Sequence, residues 1–183
     1  MRRIVVFIAA LLPFAAHAAD KFTVTSNEVK PNVRIADTQV YKGFGCSGGN
    51  MSPSLTWSNP PAGTKSFAVT VYDPDAPTGS GWWHWVVFNL PPDTRSLLAG
   101  AGNSSGSKLP KGAIQSLTDF GAPGYGGPCP PRGDRPHRYV FSVHALEVDK
   151  LDLDEKSMPA MVGFMINSNR IDKATLMSTY SRK

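Results

Sequence analysis

The sequence contains little cysteine, and its cysteines lie far apart. Two cysteines, Cys46 and Cys129, occur among 183 residues, and no C-x-x-C pair is present. This spacing argues against a redox-active pair and against a local zinc site, because both need closely spaced ligands. In an oxidising compartment, an even number of cysteines favours a structural disulfide over two free thiols.

Long apolar runs are also scarce, and the single prominent one lies at the N-terminus. Basic residues Arg2 and Arg3 precede an apolar run over residues 4–16, which ends in the small-x-small pattern Ala16-His17-Ala18. As a helix this run would span about 20 Å, less than the roughly 30 Å of a hydrocarbon core. We therefore expect a cleaved signal peptide over 1–18, no stable membrane anchor, and a single periplasmic or secreted domain over 19–183.

Charge is weak and dispersed. The formal net charge is +5, and the basic residues form no stripe interleaved with aromatic residues, so we expect no nucleic-acid partner. There are 17 glycines and 16 prolines, an abundance more typical of a fold with many turns than of a helical bundle. The sequence shows no internal repeat, coiled-coil heptad or domain linker.

Three segments have the β-branched and aromatic composition of buried strands, namely Phe67–Tyr72, Trp83–Leu90 and Arg138–Leu146. Two weaker strand candidates, Phe22–Val29 and Val33–Tyr41, precede them. Strands that follow one another without alternating helices predict an antiparallel sheet or sandwich rather than βαβ units.

The remaining segments predict a long connection and a late helix. Residues 91–136 are rich in Gly, Ser and Pro, and loops of this length tend to be functional. Ser157 is a candidate N-cap for a helix whose apolar face is Ala160–Ile166, with Pro159 in its first turn. Ile171–Tyr180 is predicted to be either a second short helix or a final strand.

A first polar cluster joins two of the predicted strands. Asp73 and Asp75 follow the strand that ends at Tyr72, and His84 lies at the start of the next strand. We expect one of these carboxylates to accept the Nδ1–H of His84, which would direct Nε2 towards a ligand. The neighbouring tryptophans are interpreted as core residues. The alternative is that residues 73–77 form only a turn.

A second polar cluster follows Cys129, where a proline-rich loop leads into the last of the three strong strands. Because side chains alternate along a strand, His137 and Tyr139 should share one face, and Arg138 should lie on the other. His137 and Tyr139 are therefore candidates for the mouth of a pocket, with Arg138 paired elsewhere.

Taken together, these motifs resemble the phosphatidylethanolamine-binding family, especially its bacterial Raf kinase inhibitor-like branch. The similarity rests on Asp-Pro-Asp-Ala-Pro from Asp73, the His-Trp pair from His84, Pro-Pro-x-Gly from Pro130, and His-Arg-Tyr from His137. The segments 43–53, 79–85 and 118–121 are similar to that branch as well, and the resemblance extends from about Phe22 to Tyr180.

The resemblance implies a mostly β fold: a two-sheet antiparallel β-sandwich with Greek-key topology and one or two peripheral helices near the C-terminus. It implies a small pocket that binds phosphate, phosphoethanolamine head groups and similar anions, and it gives no counterpart in Ser178–Lys183 for the C-terminal gate of some relatives. A Cys46–Cys129 bridge would tie the pocket loop to the N-terminal half. The implied pocket residues are Asp73, Asp75, His84, Pro131, Gly133, His137 and Tyr139.

These observations favour a binding protein for a small anionic or zwitterionic ligand, which as a family member would modulate a kinase or protease partner. A zwitterion would place its phosphate towards the histidines and its ammonium towards the aspartates. The alternative is a hydrolase-like enzyme that uses the His/Asp cluster, but no G-x-S-x-G elbow or phosphate-binding glycine loop is present. We expect no catalytic residues and no cofactor. A metal site of His84, His137 and an aspartate lacks supporting ligand spacing.

Overall fold

The computed structural model describes residues 20–183, so the predicted signal peptide over 1–18 lies outside them. In chain order the elements are β1 (Thr23–Thr25), β2 (Lys42–Gly43), β3 (Cys46–Ser47), β4 (Leu55–Ser58), β5 (Ser66–Asp73), β6 (Trp82–Leu90), β7 (Ser96–Leu97), β8 (Ile114–Gln115), β9 (His137–Leu146), α1 (Pro159–Asn169) and β10 (Arg170–Tyr180).

The largest sheet has five strands in the order β10-β9-β5-β6-β8, and all of its pairings are antiparallel. The order β9-β5-β6-β8 is that of a Greek key, with the long connection before β9 returning the chain to the side of β5. In β5 every residue except Tyr72 is buried. This explains why β5 is a continuous apolar run rather than an alternating one, since both faces of the sheet are covered.

A second sheet, in the order β1-β4-β7, covers one face of the large sheet. Trp57 of β4 packs edge-on against Phe67 of β5 with ring centroids 5.5 Å apart. Helix α1 covers the opposite face, where Val162 and Ile166 are buried with Phe88. Each such fully buried large side chain contributes about 1.5–3 kcal/mol relative to exposure. The predicted two-sheet sandwich with a helix near the C-terminus is confirmed.

Two of the strand predictions are wrong in extent. The segment Phe22–Val29 forms a strand only over β1, and Val33–Tyr41 contains a single bridge, between Arg34 and Thr179. Its backbone turns instead, because amides such as that of Gln39 donate to carbonyls three residues earlier. The three strong strands are confirmed within one residue at each end.

The predicted N-cap is also wrong. Met158 holds the N-cap position of α1 without a side-chain hydrogen bond, and the Ser157 hydroxyl contacts the Asp154 carboxylate instead, at 3.0 Å. Ile171–Tyr180 proves to be strand β10, which pairs with β9 along its length. The described chain therefore has one helix, α1, which is too short to span a membrane.

Candidate functional site

A pocket of about 220 Å³ lies at one end of the large sheet, where β5 ends and β6 and β9 begin. Because β5 is antiparallel to both neighbours, its last residue meets the first residues of β6 and β9. The two polar clusters of the sequence are therefore brought together. The pocket is lined by Phe44, Asp73, Ala76, Pro77, Thr78, Trp82, His84, Phe120, Cys129, Pro130, Pro131, His137 and Tyr139.

Asp73 and His137 form a buried ion-pair arrangement in this pocket. His137 Nδ1 lies 2.8 Å from Asp73 Oδ2, and both side chains are almost completely buried. His137 Nε2 lies 3.3 Å from Asp134 Oδ2, so carboxylates contact both ring nitrogens. Donation to both at once requires the imidazolium form. The imidazole ring is therefore held between two acidic side chains, Asp73 and Asp134.

His84 lies beside this pair but has a different partner. Its Nδ1–H donates to the carbonyl oxygen of Gly126 at 2.6 Å, so the expectation that Asp73 or Asp75 would accept this bond is wrong. The bond to Gly126 nevertheless has the expected effect on the ring. It fixes the tautomer and leaves Nε2 unpaired in the described chain. Burial lowers the pKa of His84 to about 4. At neutral pH, Nε2 is therefore a hydrogen-bond acceptor.

Tyr139 closes the inner end of the pocket. Its ring packs edge-on against His84 with centroids 5.1 Å apart, and its hydroxyl is buried near the Asp73 carboxylate. Burial, together with the nearby negative charge of Asp73, raises the pKa of this hydroxyl. Tyr139 is thus a neutral phenol that is able to donate one hydrogen bond. As predicted, it shares a face with His137, whereas Arg138 points the other way.

Asp75 is a support for the pocket rather than part of its lining. The Arg138 guanidinium donates two charge-assisted hydrogen bonds, of 2.8 and 2.9 Å, to the Asp75 carboxylate. The backbone amide of Arg138 donates a third, at 2.9 Å. These bonds hold the pKa of Asp75 at about 2. Gly133 also lies outside the lining, on an exposed turn where its φ of 85° favours glycine. Ligand binding by the seven predicted residues stays a prediction, and five of them line the pocket.

The mouth of the pocket contains a group of aromatic side chains that was not among the predicted pocket residues. The Phe44 and Phe120 rings stack with centroids 5.9 Å apart, and Trp82 packs edge-on against Phe120 at 5.4 Å. Phe44 is 68% exposed, which is unusual for a phenylalanine. Trp85 is a core residue as expected, but Trp82 lines the pocket. Phe44 and Phe120 lie inside two segments that resemble the family, 43–53 and 118–121, and this was the sequence signal that could have identified them as pocket residues.

The disulfide attaches this mouth to the rest of the pocket. Cys46 and Cys129 are bonded across 83 residues, with Cα atoms 6.1 Å apart, which confirms the predicted pairing. Cys46 lies two residues after Phe44, and Cys129 immediately precedes Pro130 and Pro131. The bond therefore joins two walls of the pocket that come from distant parts of the sequence.

Within residues 20–183, no group of three or more His, Cys, Asp or Glu side chains is arranged to hold a metal ion. The hydrogen bonds account for this. His84 Nδ1 is taken by a carbonyl, and His137 is held between two carboxylates rather than turned towards His84.

Comparison with known proteins agrees with the fold and with the quoted motifs. The family profile described as phosphatidylethanolamine-binding protein matches residues 25–181. The UPF0098 protein YbcL of Escherichia coli strain K12 is 54% identical over 180 residues, which is 98% of this chain and 98% of that protein. The UPF0098 protein YbhB of the same organism is 49% identical over 156 residues, covering 85% of this chain and 98% of YbhB.

Solved structures give the same result. The crystal structure of Escherichia coli YbcL, described as a new member of the mammalian PEBP family, matches with a TM-score of 0.88 at 55% identity. That match covers 90% of this chain and 100% of YbcL. A homologue from Chlamydia trachomatis matches with a TM-score of 0.72 at 31% identity, covering 88% of this chain and 98% of the homologue. The chain belongs to the phosphatidylethanolamine-binding protein family.

Proposed function

We propose that this protein is an exported ligand-binding protein whose pocket binds a small zwitterion carrying a phosphate monoester and an ammonium group. Phosphoethanolamine is the simplest such molecule. The observation that carries the proposal is that two unlike groups lie together in one small pocket: a neutral histidine acceptor, His84, and the carboxylate of Asp73, which bonds His137.

The phosphate end is matched to His84. A phosphate monoester has a second pKa of about 6, so its monoanion keeps one P–OH group. That hydroxyl can donate to the unprotonated Nε2 of His84, whereas the dianion has no proton to donate. The Tyr139 ring, which packs against His84, forms part of the pocket wall beside the phosphate. We therefore expect the monoanion to bind in preference to the dianion.

The ammonium end is matched to the carboxylates and to the aromatic mouth. The carboxylate of Asp73 lines the pocket and that of Asp134 contacts His137 beside it, so this side of the pocket favours an ammonium group over a bare anion. The faces of Phe44 and Phe120 attract a cation further, by about 0.5–2 kcal/mol. A volume of about 220 Å³ suits a head-group-sized molecule rather than a drug-sized one.

Isothermal titration calorimetry on the chain without residues 1–18 tests this proposal. We expect phosphoethanolamine to bind more tightly than inorganic phosphate or ethanolamine, and more tightly at about pH 6 than at about pH 8. His84→Phe, which keeps an aromatic ring but removes the acceptor, should weaken phosphoethanolamine binding at least about tenfold. Equal affinities for phosphoethanolamine and inorganic phosphate would contradict the proposal.

Export and partners form the remaining parts of the proposal. The predicted signal peptide supports a periplasmic or secreted location, and the disulfide is consistent with one, because disulfides persist in oxidising compartments. Modulation of a kinase or protease partner stays a prediction. The hydrolase-like alternative is tested by incubating the protein with generic phosphoester and ester substrates. A binding protein should not hydrolyse them.

A further inference from the structure

A second cavity, of about 670 Å³, adjoins the disulfide and shares no lining residue with the first pocket. We call it the basic cavity. Four of its lining side chains are cationic and one is a carboxylate. The lining residues are Arg34, Asp37, Val40, Gly45, Cys46, Ser47, Gly48, Arg132, Tyr180, Ser181, Arg182 and Lys183.

The carboxylate does not neutralise the cluster. Asp37 pairs with Arg34 at 3.0 Å, and both side chains are largely exposed. The other three cations, Arg132, Arg182 and Lys183, form no salt bridge with an Asp or Glu side chain within residues 20–183, and only Arg132 contacts the terminal carboxylate of Lys183. A concave surface with this excess of one charge concentrates anions in its vicinity.

The backbone brings two of these cations together. An isolated parallel bridge pairs Arg132 with Arg182, although 50 residues separate them in sequence. Like charges placed opposite each other across such a pairing are destabilising unless a counter-charge lies between them. The pairing is held in place by the nearby disulfide, because Arg182 Nη1 lies 2.9 Å from Cys46 Sγ and 3.1 Å from Cys129 Sγ.

Most of the donors of these two guanidinium groups have no partner in the described chain. Arg132 Nη1 donates to a terminal carboxylate oxygen of Lys183, the last residue, at 2.7 Å, and Arg182 Nη1 donates to the Phe44 carbonyl at 3.2 Å. The buried Arg182 Nε has no acceptor in residues 20–183. A guanidinium group carries five N–H donors in a fork that matches carboxylate and phosphate oxygens. Arg34 is fixed at the same cavity by its position 4.4 Å over the Tyr180 ring.

We propose that the basic cavity binds a small organic anion with at least two negatively charged groups, either phosphate or carboxylate. One group would lie between Arg132 and Arg182, and a second would lie towards Arg34. The volume of the cavity, about three times that of the first pocket, accommodates both groups. This site is separate from the zwitterion pocket and needs no ammonium group on its ligand.

Calorimetry with inorganic pyrophosphate and with tricarballylate, a tricarboxylate, tests the proposal and distinguishes the two anion chemistries. Binding by at least one of them is expected, with an affinity that falls as salt rises from about 0.05 M to about 0.3 M. Arg132→Gln and Arg182→Gln should each weaken binding about tenfold, because each removes charge-assisted hydrogen bonds. Lys111→Gln removes the same charge from an exposed position outside the cavity and should leave the affinity within about twofold.

Thermal unfolding of each variant shows whether it is folded, and Arg34→Gln serves as a third variant if Arg182→Gln is not. Failure of the wild type to bind either probe would overturn the proposal. So would unchanged affinity in all three arginine variants. Loss of pyrophosphate binding in His84→Phe, with the arginine variants unaffected, would assign the binding to the first pocket and overturn it as well.

Discussion

His137 Nδ1 and Asp73 Oδ2 lie 2.8 Å apart, and they join the last residue of β5 to the first residue of β9. The Asp75 amide donates to the other Asp73 oxygen, also at 2.8 Å, so the carboxylate is held from two sides. This contact closes the end of the large sheet and forms the charged side of the pocket. This pair of side chains therefore combines a structural role with the binding role proposed above.

Replacing Asp73 with asparagine should reveal both roles. Asp73→Asn keeps the size of the side chain but removes its charge, so the free energy of unfolding should fall by about 1–3 kcal/mol. The preference for phosphoethanolamine over inorganic phosphate should decrease, because less negative charge remains to attract the ammonium group. Urea unfolding and calorimetry measure the two effects. Asp134→Asn is the control, since that carboxylate is more exposed and should cost less than about 1 kcal/mol. Equal stability losses would contradict the role assigned to Asp73.

Asp75 and Arg138 should matter for stability more than for the ligand. Asp75→Asn removes the charge that accepts three hydrogen bonds from Arg138, and we expect a loss of about 1–2 kcal/mol in unfolding free energy, since Arg138 is half exposed. Affinity for phosphoethanolamine should change less than in Asp73→Asn. Asp37→Asn, in an exposed ion pair, is the matched control and should cost less than about 0.5 kcal/mol.

Buried histidines should make the protein sensitive to mild acid. Burial lowers the pKa of His84 to about 4 and that of His144 to about 3, below the ordinary value of about 6.5. At these two positions the unfolded chain binds more protons than the folded one between about pH 6.5 and pH 4, so both groups lower the stability as the pH falls through this window. For His84 alone the loss is about 3 kcal/mol.

Urea unfolding at a series of pH values from about 7 to about 4 measures this dependence. His144→Gln should lower the slope, because it removes one of the two groups while its amide can still bond Thr70. Asp75 does not contribute to this window, since its stabilisation is lost only between about pH 3.8 and about pH 2. A stability that is constant between pH 7 and pH 4 would show that burial does not lower the pKa values of these histidines in the folded protein.

The central strands were predictable because a strand that is buried on both faces is apolar along almost its whole length. Phe67–Tyr72 and Trp83–Leu90 are nearly continuous apolar runs, and the structure extends each by no more than one residue at either end. The short edge strands were not predictable. Strands β2, β3, β7 and β8 have two residues each, so no alternation can be recognised in them.

The pocket was predictable in composition but not in its pairings. Strand order brings Asp73, His84 and His137 to one end of a sheet, and sequence proximity suggested that Asp73 or Asp75 would bond His84. The structure pairs Asp73 with His137 instead, 64 residues away, and gives His84 the Gly126 carbonyl. Backbone acceptors supplied by irregular loops leave no residue-specific signal, so the sequence cannot identify them.

The disulfide should affect both stability and ligand binding, because it joins two walls of the pocket. Chain entropy predicts that a bond closing a loop of 83 residues stabilises the fold by about 4–5 kcal/mol. The double variant Cys46→Ser/Cys129→Ser should therefore lose several kcal/mol in urea unfolding. Its affinity for phosphoethanolamine should also fall under conditions in which the variant is fully folded, since Phe44 and Pro130 are no longer held at the mouth. Dithiothreitol should reproduce both effects in the wild type and leave the double variant unchanged. Full affinity in a folded double variant would show that the other contacts of the pocket loop position these walls without the disulfide.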